Sequence, residues 1–462
     1  MRRIFTLCSI ALGVICAVVS APTGGAAVLR PDKTTNQPAV TLKRKLPGYE
    51  GPSRIKRRGA LVQFSPDARW LVTSGKDRSL NVYETGSGEL KTTLTGGVKA
   101  PDGEKKDGIG GFSFSPDGQR AATRNQLDKA VRLWDTAGWK LEATLSGRQR
   151  NTESWFKSGM STAFEQGYGR VPFSPDGRFV LAEREDDLLD VWDTSGHERV
   201  ATLDHYTENS LGLAILERGN HVLNMQAVYS GNGRAIATCN GDKQPKIWNA
   251  VSGRLQAIVN SLERIYIVAL SNDGKTLATM QLQGAIELWD AETGKLRRQL
   301  EGNNRAEYDF HGFEFSPDGK YIATFLAETT KIWDVATGEL KHNLPKIGKA
   351  YDATFSRDGK LIATVSTDSS KALGVVWDVE TGTVKYALPP SGNGAQGIGF
   401  SPDSRWLITV GDKGVRLWNA DDGKPLADLS EARYPVSFSR DGKWLATGSN
   451  DDAALLWELG GN

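Results

Sequence analysis

A phrase built on Ser-Pro-Asp-Gly returns nine times along this 462-residue chain. The full unit reads Phe-Ser-Pro-Asp-Gly-Lys, then Leu-Ala-Thr, a polar turn, an apolar run ending in Trp-Asp, then Thr-Gly and a Leu-x-x-x-Leu run. Copies begin at Phe64, Phe114, Phe173, Tyr229, Leu270, Phe315, Phe355, Phe400 and Phe438, with successive spacings of 50, 59, 56, 41, 45, 40, 45 and 38 residues. A repeat of this length is one supersecondary unit that cannot bury its own apolar residues and must stack on its neighbours.

Each copy supplies four short strands. In the sixth, 312–316 is the first strand and Pro317-Asp318-Gly319 the hairpin turn, since proline presets one backbone angle and Asp-Gly tolerates a positive one. Residues 321–325, 330–334 and 339–344 follow as the second to fourth strands. Runs such as Val131-Arg132-Leu133-Trp134 and Ala285-Ile286-Glu287-Leu288-Trp289 are apolar on both faces, so both faces need cover, which radial stacking of blades supplies. Tryptophan recurs in the third strand, at 134, 192, 248, 289, 333, 377, 418 and 457, with Tyr83 in the first copy, and is expected to pack between blades. The last copy ends at Leu459 without a fourth strand. Leu42-Lys43-Arg44-Lys45-Leu46 has the spacing of Leu90-Lys91-Thr92-Thr93-Leu94 and would complete it. The expectation is an all-β chain: a single closed β-propeller over 38–462, with nine blades, or eight if one copy is degenerate, closed by an N-terminal strand.

These residues resemble the WD-repeat (WD40) propeller family over nearly the whole chain. The family's Trp-Asp ending stands at Trp134-Asp135, Trp192-Asp193, Trp289-Asp290, Trp333-Asp334 and Trp377-Asp378. The family's opening Gly-His pair is essentially absent, and the histidines are His197, His205, His221, His311 and His342. In the family that histidine joins an aspartate in the turn before the third strand. Here Asp77, Asp128, Asp187, Asp242, Asp368 and Asp412 stand in those turns without it. The chain reads as a divergent branch of the family.

Residues 1–27 have the layout of an export signal: Met1-Arg2-Arg3, an apolar run from Ile4 to Ser20, then Thr23-Gly24-Gly25-Ala26-Ala27. The apolar run of 17 residues is at the lower limit for a membrane span, so an uncleaved anchor is the alternative. Residues 28–37 read as a flexible segment. The location expected is periplasmic or extracellular, with membrane association only if the leader stays. Of three cysteines only Cys239 lies beyond the leader, so no internal disulfide is expected, and Cys239 reads as a buried strand residue. Two of the 57 Lys and Arg residues lie in the leader, leaving 55 to balance 55 Asp and Glu. That neutrality speaks against nucleic acid as a partner. Lys43, Arg44 and Lys45, with Arg54, Lys56, Arg57 and Arg58, read as a solvated outer edge.

No pattern carries chemistry. There is no His pair at ligand spacing, no cysteine cluster and no Gly-x-Ser-x-Gly elbow, so no catalytic residue, cofactor or metal is expected. Gly231-Asn232-Gly233 occupies the Ser-Pro-Asp-Gly position of its own repeat and reads as a turn rather than a phosphate loop. The long spacings are consecutive and place insertions after the fourth strands, at about Thr95–Gly110, Ser146–Arg170 and Asp204–Gln226. The middle one carries the partner-binding candidates Arg148, Arg150, Trp155, Phe156, Phe164 and Tyr168, because aromatics with arginine compose interface hot spots. The alternative is that its aromatics pack onto neighbouring blades. The functional expectation is an exported, non-enzymatic scaffold that binds a protein or peptide through these loops. An enzyme or small-ligand binder with a site at the mouth of the central channel is the other reading.

Overall fold

A computed structural model describes residues 40–48, 61–96, 108–125, 130–145, 171–183, 188–204, 226–239, 243–281, 285–300, 310–326, 329–345, 350–366, 372–389, 395–411, 413–451 and 453–460. They form nine antiparallel sheets with strands in sequential order, the blades of an all-β propeller, and a 3-10 turn at Lys76–Arg78 is the one helical element among them. We letter the strands of each blade a to d. The chain divides into two compact units. One, Met1–Leu94 with Glu307–Asn462, holds blade 1 (62–94) and blades 6 to 9 (310–344, 350–388, 395–429 and 432–459). The other, Thr95–Ala306, holds blades 2 to 5 (109–145, 173–203, 226–258 and 265–300).

Antiparallel order fixes the anatomy of a blade. The a–b and c–d turns lie at one end; the b–c turn and the exit of strand d lie at the other. In all nine a–b turns the serine hydroxyl donates to the side-chain oxygen of the Asp, or of Asn232, two residues on, at 2.5–2.8 Å. The same hydroxyl accepts the backbone N–H that opens strand b, as from Trp70 (2.9 Å) and Tyr321 (2.9 Å). Gly231 takes the place of proline because a Cβ there would collide with the Asn272 side chain, while Asn232 N–H and Nδ2 donate to Asn272 and Asp273 carbonyls at 2.8 and 2.6 Å. The Gly-Asn-Gly run is thus a turn, as expected.

The closing strand is Val40–Leu46, antiparallel to Ala454–Leu459 with a bulge between Leu42 and Arg44. Lys43 pairs with Glu458 at 2.6 Å and Lys45 with Asp451, so this part of the basic run does protect an edge. Arg54 and Lys56 to Arg58 lie outside the described residues. Blade 1 fastens the two residues just past this strand. Asn81 Nδ2 donates to the Gly48 carbonyl (2.9 Å) and the Tyr83 hydroxyl to Pro47, which accounts for tyrosine where other blades have tryptophan.

The third-strand aromatics do more than pack. In seven blades the indole N–H donates to the threonine of the Leu-Ala-Thr stretch, or its counterpart, on strand b: Trp134 to Thr123, Trp248 to Thr238, Trp289 to Thr279, Trp333 to Thr324, Trp377 to Thr364, Trp418 to Thr409 and Trp457 to Thr447, at 2.8–3.4 Å. Each bond satisfies a buried donor without a histidine. Trp134 and Trp192 are only half-buried, against the expectation that all these rings are covered. Asp77's side chain and all of Asp128, Asp187, Asp242, Asp368 and Asp412 lie outside the described residues.

Blade 3 departs from the repeat. Its described strand a is a single bridge, Phe173 to Val180, because Pro172 has no N–H for the ladder. Cys239 is buried on strand b of blade 4, and its thiol donates to the Ile265 carbonyl at 3.1 Å. Among the described residues no helix is long and apolar enough to cross a membrane.

Candidate interaction site

The three insertions follow the d strands of blades 1, 2 and 3, and the described residues at their ends show how each is rooted. Asn125, the last residue of strand b in blade 2 (Arg120–Asn125), donates its Nδ2 to the carbonyl of Gly96, where the first insertion begins. At the end of the second insertion the Val171 N–H donates to Ser113 Oγ of blade 2 at 3.2 Å. Where the third begins, the Asp204 carbonyl accepts Lys246 Nζ of blade 4 at 3.1 Å. Each root is held by one polar side chain of an adjacent strand, and two of the three holders are nearly sealed from solvent, Asn125 at 1% and Lys246 at 2% exposed.

The connection from blade 4 to blade 5 carries no insertion and is pinned along its length. Ser261 N–H donates to the Lys243 carbonyl (2.9 Å), Gln244 Nε2 to Asn260 Oδ1 (2.9 Å) and Lys243 Nζ to the Leu262 carbonyl (2.6 Å). Ser261 Oγ donates to Glu287 Oε2 of blade 5 at 3.0 Å and accepts Gln281 Nε2 at 3.3 Å. Burial pushes the Glu287 carboxyl above its ordinary value, against the lowering effect of the Ser261 and Gln281 bonds. At the tip of this fixed loop Leu262 stands 83% exposed, the most exposed of the large apolar side chains described. Sequence reasoning missed Leu262, since only the surrounding bonds mark it as displayed.

Glu287, Lys246 and Asp190 occupy one position in three consecutive blades, two residues before the third-strand tryptophan, and all are buried. Asp190 Oδ1 accepts the Thr202 hydroxyl at 2.6 Å, and its Oδ2 lies 3.7 Å from Arg199 Nη1. Lys246 Nζ sits 5.9 Å from the Trp248 ring centre.

The sequence-predicted partner residues Arg148, Arg150, Trp155, Phe156, Phe164 and Tyr168 lie outside the described residues. No cluster of three metal-ligating side chains occurs among the described residues. His197 is in the c–d turn of blade 3, His342 Nε2 donates to the Glu380 carbonyl (3.0 Å), and His205, His221 and the side chain of His311 are not described.

The family model "WD domain, G-beta repeat" matches residues 58–84, 387–419 and 436–458. The chain thus carries WD40 repeats. It is 23% identical over 324 residues to Autophagy-related protein 16 of Arabidopsis thaliana, covering 69% of this chain and 56% of that one. It is 26% identical over 248 residues to the WD repeat-containing protein WDS homolog of the same plant (50% and 46% covered). Over 116 residues it is 38% identical to the human WD repeat and SOCS box-containing protein 1 (24% and 27% covered). The WD40 chain thus spans about half the length, or less, of these curated relatives. Among solved structures it is similar to the computationally designed Ika8 protein, with a TM-score of 0.50 and 17% identity over 83% of this chain and 98% of that one, a likeness of fold alone.

Proposed function

We propose that this WD40-repeat chain is an exported, non-enzymatic scaffold that binds a protein or peptide through the three insertions that follow blades 1, 2 and 3. WD40 propellers generally bind protein partners, which supports the class of function. The observation that carries the choice of surface is the rooting of all three insertions by Asn125, Ser113 and Lys246. A loop held at its root loses less entropy on association, so more of its contact energy appears as affinity. The pinned loop that displays Leu262 leaves the next blade, blade 4, after its own strand d. Export is part of the proposal through the leader at 1–27 alone, and N-terminal sequencing of protein recovered outside the cytoplasm should start near Val28.

The test is capture. Protein spanning 28–462 and a version shortened across 148–168 are immobilised, exposed to extract of the native host, and the retained proteins identified. Retention of a defined protein by the first and not the second, both folded by circular dichroism, is the expected result. Equal retention by both removes the middle insertion from the site. Retention by neither, with turnover or binding of a small metabolite instead, overturns the scaffold reading.

A further inference from the structure

Glu287 is a buried carboxyl group with no cation paired to it. Glu287, Ser261 and Gln281 are 5%, 8% and 7% exposed, so the acid and its two neutral partners are sealed together. Blade 3 shows what is missing. There the acid at the same position, Asp190, has Arg199 Nη1 3.7 Å away, and Arg199 stands opposite Trp192 in the ladder. The residue opposite Trp289 in blade 5 is Leu296, which carries no charge.

The charged side chains on the elements around Glu287 are Lys243, Lys246, Glu263 and Arg264 from blade 4 and its exit, with Arg297 and Arg298 on strand d of blade 5. Lys243 Nζ is bonded to the Leu262 carbonyl, Lys246 Nζ to the Asp204 carbonyl and Arg297 to Asp290. Among the described residues no ion pair reaches Glu287, whose bonds are those with Ser261 and Gln281. An ionised carboxylate buried in this way lacks the hydration it would have in water. A protonated one keeps its bond, because the Ser261 hydroxyl can accept as well as donate.

The cover is a short segment. Val259 and Ser261 donate their N–H groups to the Pro245 and Lys243 carbonyls, both at 2.9 Å, and Ser261 Oγ touches the carboxylate at 3.0 Å. Lifting 259–264 would break these bonds together and admit water to Glu287.

We propose that the loop 259–264 is a proton-linked cover over Glu287: closed, it retains the proton, and opening releases it. The sense follows from burial. In the closed form burial pushes the carboxyl above its ordinary value, and in the open form water restores it. Closure is therefore strongest below the ordinary value of 4.5 and weakens as pH rises through the raised one. Near neutral pH Leu262 rides on a loop that opens more readily than it does in acid. Any effect on partner retention rests on the scaffold reading above; the linkage itself does not.

Hydrogen exchange on the full chain tests it. Glu287→Gln keeps the shape of the side chain and cannot ionise. The ratio of parent to variant exchange rates in peptides covering 259–264 therefore cancels the ordinary effect of pH on exchange. That ratio is expected to be near one at pH 4 and to reach about tenfold by pH 7, with the strands of blades 4 and 5 unchanged. Glu287→Leu, copying Leu455 of blade 9, is the second variant if glutamine does not fold, and its ratio should climb by the same factor. A ratio that stays flat or falls from pH 4 to pH 7 overturns the proposal. So does a climb shared equally by the strands of both blades, or failure of both variants to fold, since each assigns Glu287 to the blade rather than to the loop.

Discussion

Trp192 on strand c of blade 3 stands opposite Val180 and diagonal to Ala182 on strand b, and its indole N–H, buried at the nitrogen, has no hydrogen-bond acceptor among the described residues. Ala182 stands in the register position that holds Thr123, Thr238, Thr279 and their counterparts in the seven blades where the indole is satisfied. The residue missing a hydroxyl and the donor missing an acceptor are one defect.

Ala182→Thr is expected to repair it. The threonine would enter a site of the same register as seven that already accept one, and a satisfied buried donor contributes about 1 kcal/mol. The denaturation midpoint should rise. The reverse change, Thr279→Ala, leaves Trp289 as Trp192 is now and should lower stability by about 1–3 kcal/mol. A lower midpoint for Ala182→Thr would mean that this blade has closed over the space the threonine needs.

The Leu-Ala-Thr stretch was readable as a repeat element, but the work of its threonine was not. A sequence shows spacing along the strand, whereas the Thr279–Trp289 bond depends on cross-strand register, with Thr279 opposite Glu287 and Trp289 opposite Leu277. The turns were fully legible because Ser316, Asp318 and Tyr321 bond within five residues of one another. Closure by Leu42–Leu46 was legible from its likeness to Leu90–Leu94, though not the bulge or the grip of Tyr83 on Pro47. Lys246 and Glu287 gave no sign in the sequence. They look like solvated strand residues until the exit of a neighbouring blade, 42 and 26 residues earlier in the chain, is placed against them.

Tyr83→Phe should loosen the N-terminal closure. The phenol donates to Pro47, and burial holds its pKa up at about 12, so it remains a neutral donor at any physiological pH. Losing one such bond should cost about 0.5–1.5 kcal/mol. Hydrogen exchange in 40–46 is expected to rise more than in blade 1. A rise confined to blade 1 would show that the closing strand is held by its ladder with Ala454–Leu459 alone.

Asp290 should give an acid-dependent contribution to stability. Its bonds with Arg297, then those from the Thr293 backbone and hydroxyl, hold its carboxyl down to about 2 from an ordinary 3.8, against burial. A depressed carboxylate stabilises the fold above the unfolded value and loses that contribution as pH falls through the folded one. Asp290→Asn should therefore be less stable by about 1–2 kcal/mol at pH 7, after discounting for partial exposure. The gap should hold down to about pH 4 and close toward pH 2. Urea denaturation of both proteins across that range checks it; a gap that persists unchanged at pH 2 would assign the effect to the shape of the side chain rather than its charge.

His197 is the last case, because its backbone contradicts its identity. At the c–d turn position where Gly253, Gly294, Gly338, Gly382 and Gly423 adopt positive φ, His197 is held at φ +56°. Glycine is natural there: a Cβ at Gly382 would run into the His342 ring of the preceding blade. In blade 3 the equivalent residue of the preceding blade is Ala143, and beside it the Glu142 carboxylate accepts Arg120 Nε at 2.8 Å and lies 3.8 Å from His197 Nε2. A left-handed conformation costs a non-glycine residue about 1–2 kcal/mol, while a half-exposed contact of that length returns little. Replacing His197 with glycine should raise stability by about 0.5–1 kcal/mol, the gain reduced by the greater freedom of glycine in the unfolded chain. Thermal unfolding of both proteins measures this directly. A loss of stability instead would show that the imidazole braces Glu142 and Arg120.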